Sequence, residues 1–236
     1  MRLLVTRPEP DAGLTAQVLR ARGHEVLVAP LLRVEAIDAE FGGPWAAVLL
    51  TSASAARALS APRRDSAILR VPAFTVGERT AEAARAAGFS EVVSADGALR
   101  ELVRLVAARF AGRGARLLYL AGEDRAGDLA GDLAAHGIAV HTVAVYRAIA
   151  ADALFPDTVQ ALSGGRIDAV LHYSRRSAAT LLRLAEEAGV LNALLSVAHY
   201  CLSAEVAAPL RAWGAERIKV AESPREVALI DLVGPA

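Results

Sequence analysis

The sequence predicts an α/β fold made of two doubly wound parallel-sheet domains of similar topology, joined by a two-stranded hinge with a cleft between them. Three observations carry the prediction. Short apolar runs alternate with Ala/Leu/Arg segments of helical period along all 236 residues. Glycine closes one predicted helix after another, and the opening of the chain reads again in its middle. Strands that alternate with helices form strand–helix–strand units, and such crossovers return the chain in the same direction and make a parallel sheet.

Ten strands are predicted, at Leu3 to Thr6, Glu25 to Ala29, Ala46 to Leu50, Ala73 to Val76, Glu91 to Ser94, Ala115 to Leu120, Ile138 to Val145, Asp168 to Tyr173, Ser196 to Leu202 and Arg217 to Val220. Each is short and rich in Val, Leu or Ile, as a strand buried on both faces must be. Helices fill the gaps. Their ends are marked by Gly23, Gly88, Gly137, Gly189 and Gly214, each shortly before the next strand, where a helix commonly closes in a left-handed turn.

The repeat has a constant offset. Residues 3–36 read on 117–150, with Leu3-Leu4 on Leu117-Leu118, Glu9 on Glu123, Ala12-Gly13 on Ala126-Gly127, Leu19 on Leu133, Gly23 on Gly137, Val26 on Val140 and Arg33 on Arg147. Residues near 47–59 read on 169–181, with Ala47-Val48-Leu49 on Ala169-Val170-Leu171 and Ser52 on Ser174, and Gly88 falls on Gly214. Ala-rich units resemble one another by composition alone, but the shared glycines argue for duplication in the order A, B, A, B. Each half should then hold a five-stranded sheet whose loops at the carboxyl ends of the strands form a binding face. Pro30 to Ile37 and Val143 to Ile149 stay extended beyond the second strand of each A module and read as paired crossings between domains. The pattern leaves open whether the first A module packs with the first B module or the second.

Composition excludes several functions. Lys plus Arg and Asp plus Glu are 26 each, so no net field draws the chain to nucleic acid or an anionic membrane. One cysteine, Cys201, excludes an internal disulfide framework and a thiolate zinc cluster and fits a reducing compartment, the cytoplasm. The opening apolar run is too short for an export signal, and no stretch reaches the roughly 18 to 20 uncharged residues of a spanning helix. Five histidines, His24, His136, His141, His172 and His199, stand at no ligand spacing, so no metal site is expected. Dinucleotide, P-loop, nucleophile-elbow and zincin motifs do not occur.

What recurs is small polar residues where strands are expected to pass into helices: Thr6-Arg7-Pro8, Thr51 to Ser54, Val76 to Thr80, Ala121-Gly122-Glu123, Tyr173 to Arg176 and Leu202-Ser203-Ala204. Such residues cap helices, and the exposed N–H groups of a helix start also bind carboxylate or phosphate. Six such turns on two rims suit a ligand with many carboxylates, with Arg7, Arg79, Arg175 and Arg176 adding charge. Each arginine also fits a solvated surface position.

Leu4-Val5-Thr6-Arg7-Pro8, Leu19 with Ala21 and Gly23, Pro30-Leu31, Leu49 to Ala55, Val76 to Ala81, Val145-Tyr146-Arg147 and Ser203 to Ala207 together resemble the uroporphyrinogen-III synthase family over almost the whole chain. The resemblance implies interleaved domains: 1–32 with 152–236 as one, 38–145 as the other, and hinge crossings near 33–37 and 146–151. It implies an enzyme that closes the linear tetrapyrrole hydroxymethylbilane to uroporphyrinogen III, with loss of water and inversion of the last ring, in haem biosynthesis. It implies no cofactor, a monomer, and as a further partner the enzyme that supplies hydroxymethylbilane. Tyr146 matches the family's prominent tyrosine and is the candidate proton donor. Thr80 matches a functional threonine, and Thr6, Arg7, Ser52, Gly77, Ser174, Arg175 and Ser203 become the candidate substrate-binding residues. The chain departs from the pattern at Ser203, Glu205 and Val206, where some members carry a Gly followed by a Thr pair, and in the basic turn at Arg175-Arg176. A non-catalytic two-domain sensor for a polycarboxylate is the alternative, and a nucleotide-sugar transferase would need larger domains.

Overall fold

The computed structural model describes residues 1–59, 67–97, 99–125 and 127–236. In chain order the elements are β1 (Arg2–Val5), α1 (Asp11–Ala21), β2 (Glu25–Val28), β3 (Leu32–Ala36), β4 (Ala47–Leu50), α2 (Ala53–Ala58), a 3₁₀ turn at Ile68–Arg70, β5 (Ala73–Thr75), α3 (Glu78–Ala87) and β6 (Val92–Ser94). There follow α4 (Leu99–Phe110), β7 (Arg116–Gly122), α5 (Leu129–Ala134), β8 (Ala139–Ala150), α6 (Pro156–Ser163), β9 (Ala169–His172), α7 (Arg175–Glu187), α8 (Leu191–Ser196), β10 (Ala198–Cys201), α9 (Ala204–Ala212), β11 (Ile218–Val220) and α10 (Glu226–Val233). The chain divides into two compact units, Met1–Arg33 with Ile149–Ala236, and Val34–Ala148.

The first unit holds a five-stranded sheet in the order β11-β10-β9-β1-β2. Its strands run parallel, with Leu4 in register with Leu27 on one side and Val170 on the other. Alternation along each strand divides the core. Leu3, Val5, Ala169 and Leu171 face α1 and α10, whereas Leu4, Val170 and Cys201 face α6 to α9. Both faces are covered, so the strands carry no polar stripe. The connection after β1 therefore leaves on one face and that after β9 on the other, which makes a topological switch point between these two neighbouring strands.

The second unit repeats the order as β6-β5-β4-β7-β8, with β3 added beyond β8. The sheet thus has six strands, not the expected five. Strand β8 is long enough to outrun β7, and β3 pairs with the excess: Ile37 N–H donates to Val145 O, and Ala151 N–H donates to Leu31 O. These bonds run in opposite chain directions, so the added pairing is antiparallel, and it sets Glu35 opposite Arg147, whose Nη2 lies 3.1 Å away. Val48, Leu50, Leu118 and Leu120 face α2 and α3; Ala47, Leu49, Leu117 and Tyr119 face α4 and α5. The switch point of this sheet lies between β4 and β7.

The glycine punctuation has the expected conformation, Gly23 at φ 90° and Gly88 at φ 103°, both in the left-handed region. One strand start differs. Ser196 closes α8 rather than opening a strand, because its hydroxyl donates back to Ala193 O at 2.8 Å and prolongs the helical turn. Ala126, used in reading the repeat, lies outside the described residues.

Candidate functional site

Parallel strands bring their carboxyl ends to one edge of each sheet, and the candidate residues gather on these two edges. In the second unit Ser52 and Gly77 cap α2 and α3, Thr80 lies buried in the first turn of α3, and Tyr146 stands on β8 beside the end of β7. In the first unit Thr6 and Arg7 follow β1, Ser174 and Arg175 begin α7, and Ser203 begins α9.

Three serines are committed to their own helices. Ser52 Oγ accepts from Ser54 N–H at 3.1 Å, Ser174 Oγ from Ser177 N–H at 3.1 Å, and Ser203 Oγ from Val206 N–H at 3.3 Å. Their hydroxyls therefore serve as caps, and what these starts offer an anion is backbone N–H together with the helix dipole. Gly77 is different. No side chain caps α3, and a Cβ built on Gly77 would meet nothing within 4 Å, so the start of this helix is open above its backbone.

Two of the six anticipated turns are not helix starts. Helix α1 begins only at Asp11, behind Pro10, and Thr6 is buried with its carbonyl accepting from Leu31 N–H. Likewise β7 continues through Gly122 and α5 starts at Leu129, so Glu123 remains bound to the sheet edge through its N–H donated to Tyr146 O at 2.9 Å. Proline in the first case and the long strand in the second displace the helix.

Tyr146 is half-buried, and the ladder slips one residue between Ala121 and Gly122 so that Gly122 opposes Tyr146. The phenol lies across that glycine. A Cβ at Gly122 would come within 2.7 Å of Tyr146 Cζ and 2.9 Å of its hydroxyl oxygen. The absence of a side chain at residue 122 is thus what lets the ring lie over the end of β7, on the face that α2 and α3 cover.

Across the switch point of the same unit, Tyr119 OH and Thr51 Oγ1 are 2.8 Å apart. Burial raises the Tyr119 phenol above its ordinary range, and Tyr146 is close enough to add to the effect while Thr51 opposes it. Sequence reading placed Tyr119 inside a strand and Thr51 in a turn without pairing them; their diagonal register, with Leu49 opposite Tyr119, is the signal that joins them.

Arg7 is not a solvated cation. Its guanidinium donates to Glu226 Oε1 at 2.7 Å and to Thr15 Oγ1 at 3.1 Å, lies 3.4 Å from Asp11, and stacks 3.9 Å above the Tyr173 ring. Burial, with the charge of Glu226 next, pushes the Tyr173 phenol up to about 12. No sequence signal links Glu226 to a residue at the other end of the chain. Arg175 is exposed on the first turn of α7.

The histidines also pair unexpectedly. His136 and His141 are nearest in sequence, yet the two that meet are His172 and His199, buried on neighbouring strands and diagonal in register, with Nε2 and Nδ1 3.0 Å apart. Desolvation holds His172 well below its ordinary value and His199 at about 4. Among the described residues no group of three or more His, Cys, Asp or Glu side chains is placed to hold a metal, and no helix is long and apolar enough to cross a membrane.

A family model described as uroporphyrinogen-III synthase HemD matches residues 14–231. Among solved structures the chain is similar to a uroporphyrinogen-III synthetase from Helicobacter pylori, at 19% identity and TM-score 0.68, covering 99% of this chain and 98% of that one. It is also similar to a mutant uroporphyrinogen III synthase from Thermus thermophilus, at 19% identity and TM-score 0.54, covering 99% and 96%. At this identity the two structures speak for the fold. No curated protein matched the chain.

Proposed function

The chain belongs to the uroporphyrinogen-III synthase family, enzymes that carry out a cyclisation in tetrapyrrole biosynthesis, and from that premise we propose that its substrate is hydroxymethylbilane, with Tyr146 as the proton donor. The observation that carries the assignment is the seat of the Tyr146 phenol over Gly122, at the carboxyl edge of the sheet beside the starts of α2 and α3. A half-buried hydroxyl held there can meet a substrate whose carboxylates lie on the helix starts.

The chemistry asked of the protein is small. Tyr146 donates a proton to the hydroxymethyl oxygen, the carbon–oxygen bond breaks with its electron pair, and water leaves. The methylene cation is attacked by a carbon of the last pyrrole, through a spirocyclic intermediate that inverts this ring, and the proton lost on ring closure restores the phenol. General acid catalysis of this kind contributes about 10²- to 10⁴-fold, and orientation in a fixed pocket supplies much of the rest. The reaction is net loss of water and needs no electron transfer.

Binding falls to backbone donors at the starts headed by Ser52, Gly77, Ser174 and Ser203, with Arg175 beside one of them. Thr6 and Thr80, both buried, hold the strand end and the first turn of α3 in shape. In this reading the chain works as a cytoplasmic monomer supplied by the enzyme that makes hydroxymethylbilane.

Incubation of the purified chain with hydroxymethylbilane, followed by oxidation and separation of porphyrin isomers, tests the reading. The type III isomer is expected. Type I product alone, at the rate of spontaneous closure, defeats it and favours a sensor that binds without turnover.

A further inference from the structure

At the switch point of the first unit three donors converge on one carboxylate oxygen of the chain's own helix α10. Arg7 Nη1 donates to Glu226 Oε1 at 2.7 Å, the Thr15 hydroxyl donates to the same oxygen at 2.5 Å, and the Tyr173 hydroxyl approaches it at 3.4 Å. Tyr173 is also the floor on which the guanidinium rests. A planar cation on an aromatic face, flanked by two hydroxyls, is a donor set suited to a carboxylate.

We propose that Arg7, Thr15 and Tyr173 form a binding pocket for a substrate carboxylate and that Glu226 occupies it as an internal substitute, which the substrate displaces. The identity of the ligand rests on the proposed function; the pocket does not. Two observations favour exchange over a fixed structural pair. The cluster lies between the carboxyl ends of β1 and β9, where the connections part to opposite faces and open parallel sheets receive their ligands. The Arg7 side chain is only 11% exposed and Thr15 1%, whereas the Glu226 side chain is 30% exposed, so water and ligand reach the pocket from the carboxylate side.

Exchange has a chemical consequence. Glu226 is the first residue of α10, whose N-terminus has no side-chain cap, so displacing its carboxylate parts the start of this helix from Arg7 and Thr15. An incoming carboxylate takes up the same three donors, and the helix start carries the freed Glu226 into water.

The experiment compares the wild type with Glu226→Ala, Glu226→Gln and the double variant Arg7→Gln/Glu226→Ala, using uroporphyrin III, an air-stable octacarboxylate, in fluorescence titrations. Turnover of hydroxymethylbilane is measured in parallel. Removing the internal competitor should tighten uroporphyrin binding roughly tenfold, about 1.4 kcal/mol, and Arg7→Gln should erase the gain. The amide of Glu226→Gln keeps the size of the side chain and serves if the alanine variant fails to fold. Unchanged or weaker binding in both single variants, or a gain that survives Arg7→Gln, overturns the inference while an active wild type leaves the proposed function standing. If the wild type neither turns over hydroxymethylbilane nor binds uroporphyrin, the proposed function falls, and citrate decides the pocket. Protection of Glu226→Ala against heating by citrate, absent in the double variant, supports it, and equal protection of both refutes it.

Discussion

Acidification should loosen the first unit through its buried histidine pair. His199 Nε2 lies 3.1 Å from Leu194 O, and its Nδ1 lies 3.0 Å from His172 Nε2. Only one proton arrangement satisfies both neutral rings: each carries its hydrogen on Nε2, His199 donating to the carbonyl and His172 donating to His199. A further proton on His199 would face that donor, and one on His172 Nδ1 would sit buried with no hydrogen-bond partner in the structure. Both folded values are therefore lowered, His199 from 6.5 to about 4. The unfolded chain takes up protons near pH 6.5 and the folded one does not. Stability is full above that pH and declines as pH falls toward 4.

At about 1.4 kcal/mol per pKa unit, His199 alone accounts for about 3 kcal/mol in full and about 2 kcal/mol by pH 5. Desolvation and repulsion at His172 add to the loss. The assay is urea unfolding between pH 7.5 and 5, read at Trp213 in a Trp45→Phe background, since Trp213 belongs to the unit that holds the pair. The His172→Leu/His199→Gln variant keeps a donor for Leu194 O and should flatten the pH slope. A wild-type slope that is already flat, or one that the double variant retains, refutes the reasoning.

Tyr146→Phe keeps the ring and deletes the hydroxyl, so turnover should fall about 10- to 10⁴-fold with the melting temperature nearly unchanged; intact turnover would make the residue structural. Gly122→Ala drives a Cβ against Tyr146 Cζ at 2.7 Å and the ring must swing away, so turnover should drop toward that of Tyr146→Phe, and the two changes together should cost little more than either alone. Thr51→Val strands the Tyr119 hydroxyl and should cost about 1 to 2 kcal/mol in urea unfolding, with Tyr119→Phe restoring part of it. With 26 cations and 26 anions, affinity for a polycarboxylate should weaken only moderately from 50 to 200 mM salt in fluorescence titrations; a slope like that of a nucleic-acid binder contradicts attraction by local donors.

Strand and helix order was legible because burial on both sheet faces leaves runs such as Ala47 to Leu50 and Ala169 to Leu171 wholly apolar, and such runs admit little else between glycine-closed helices. The helix starts at Ser52, Gly77, Ser174 and Ser203 were legible for the same local reason: a small residue follows a strand. Where chain-distant residues decide, the letters fall silent. Nothing near Arg7 announces Glu226, and His172 meets His199 only once β9 and β10 lie side by side. The sixth strand was legible as the extended, paired crossings at Pro30 to Ile37 and Val143 to Ile149, but its place in the second sheet depends on the excess length of β8, a property of two segments more than a hundred residues apart. The occupation of the three serines by their own helices is likewise a matter of geometry, since the same letters describe a cap and a ligand donor.

The partition of the chain has a consequence for its synthesis. Residues 34–148 are contiguous, so this unit has every strand it needs soon after Ala148 is made, whereas β1 and β2 belong to a sheet whose neighbouring strand β9 is made much later. At about 5 to 20 residues per second, β1 waits roughly 8 to 33 s for β9 to be made. During that interval Leu3, Leu4 and Val5, all fully buried in the finished fold, have only β2 to pair with. The nascent chain thus carries an early apolar strand past a unit that has already closed, and a chaperone that binds this first segment should raise the yield of folded protein more than one acting on residues 34–148.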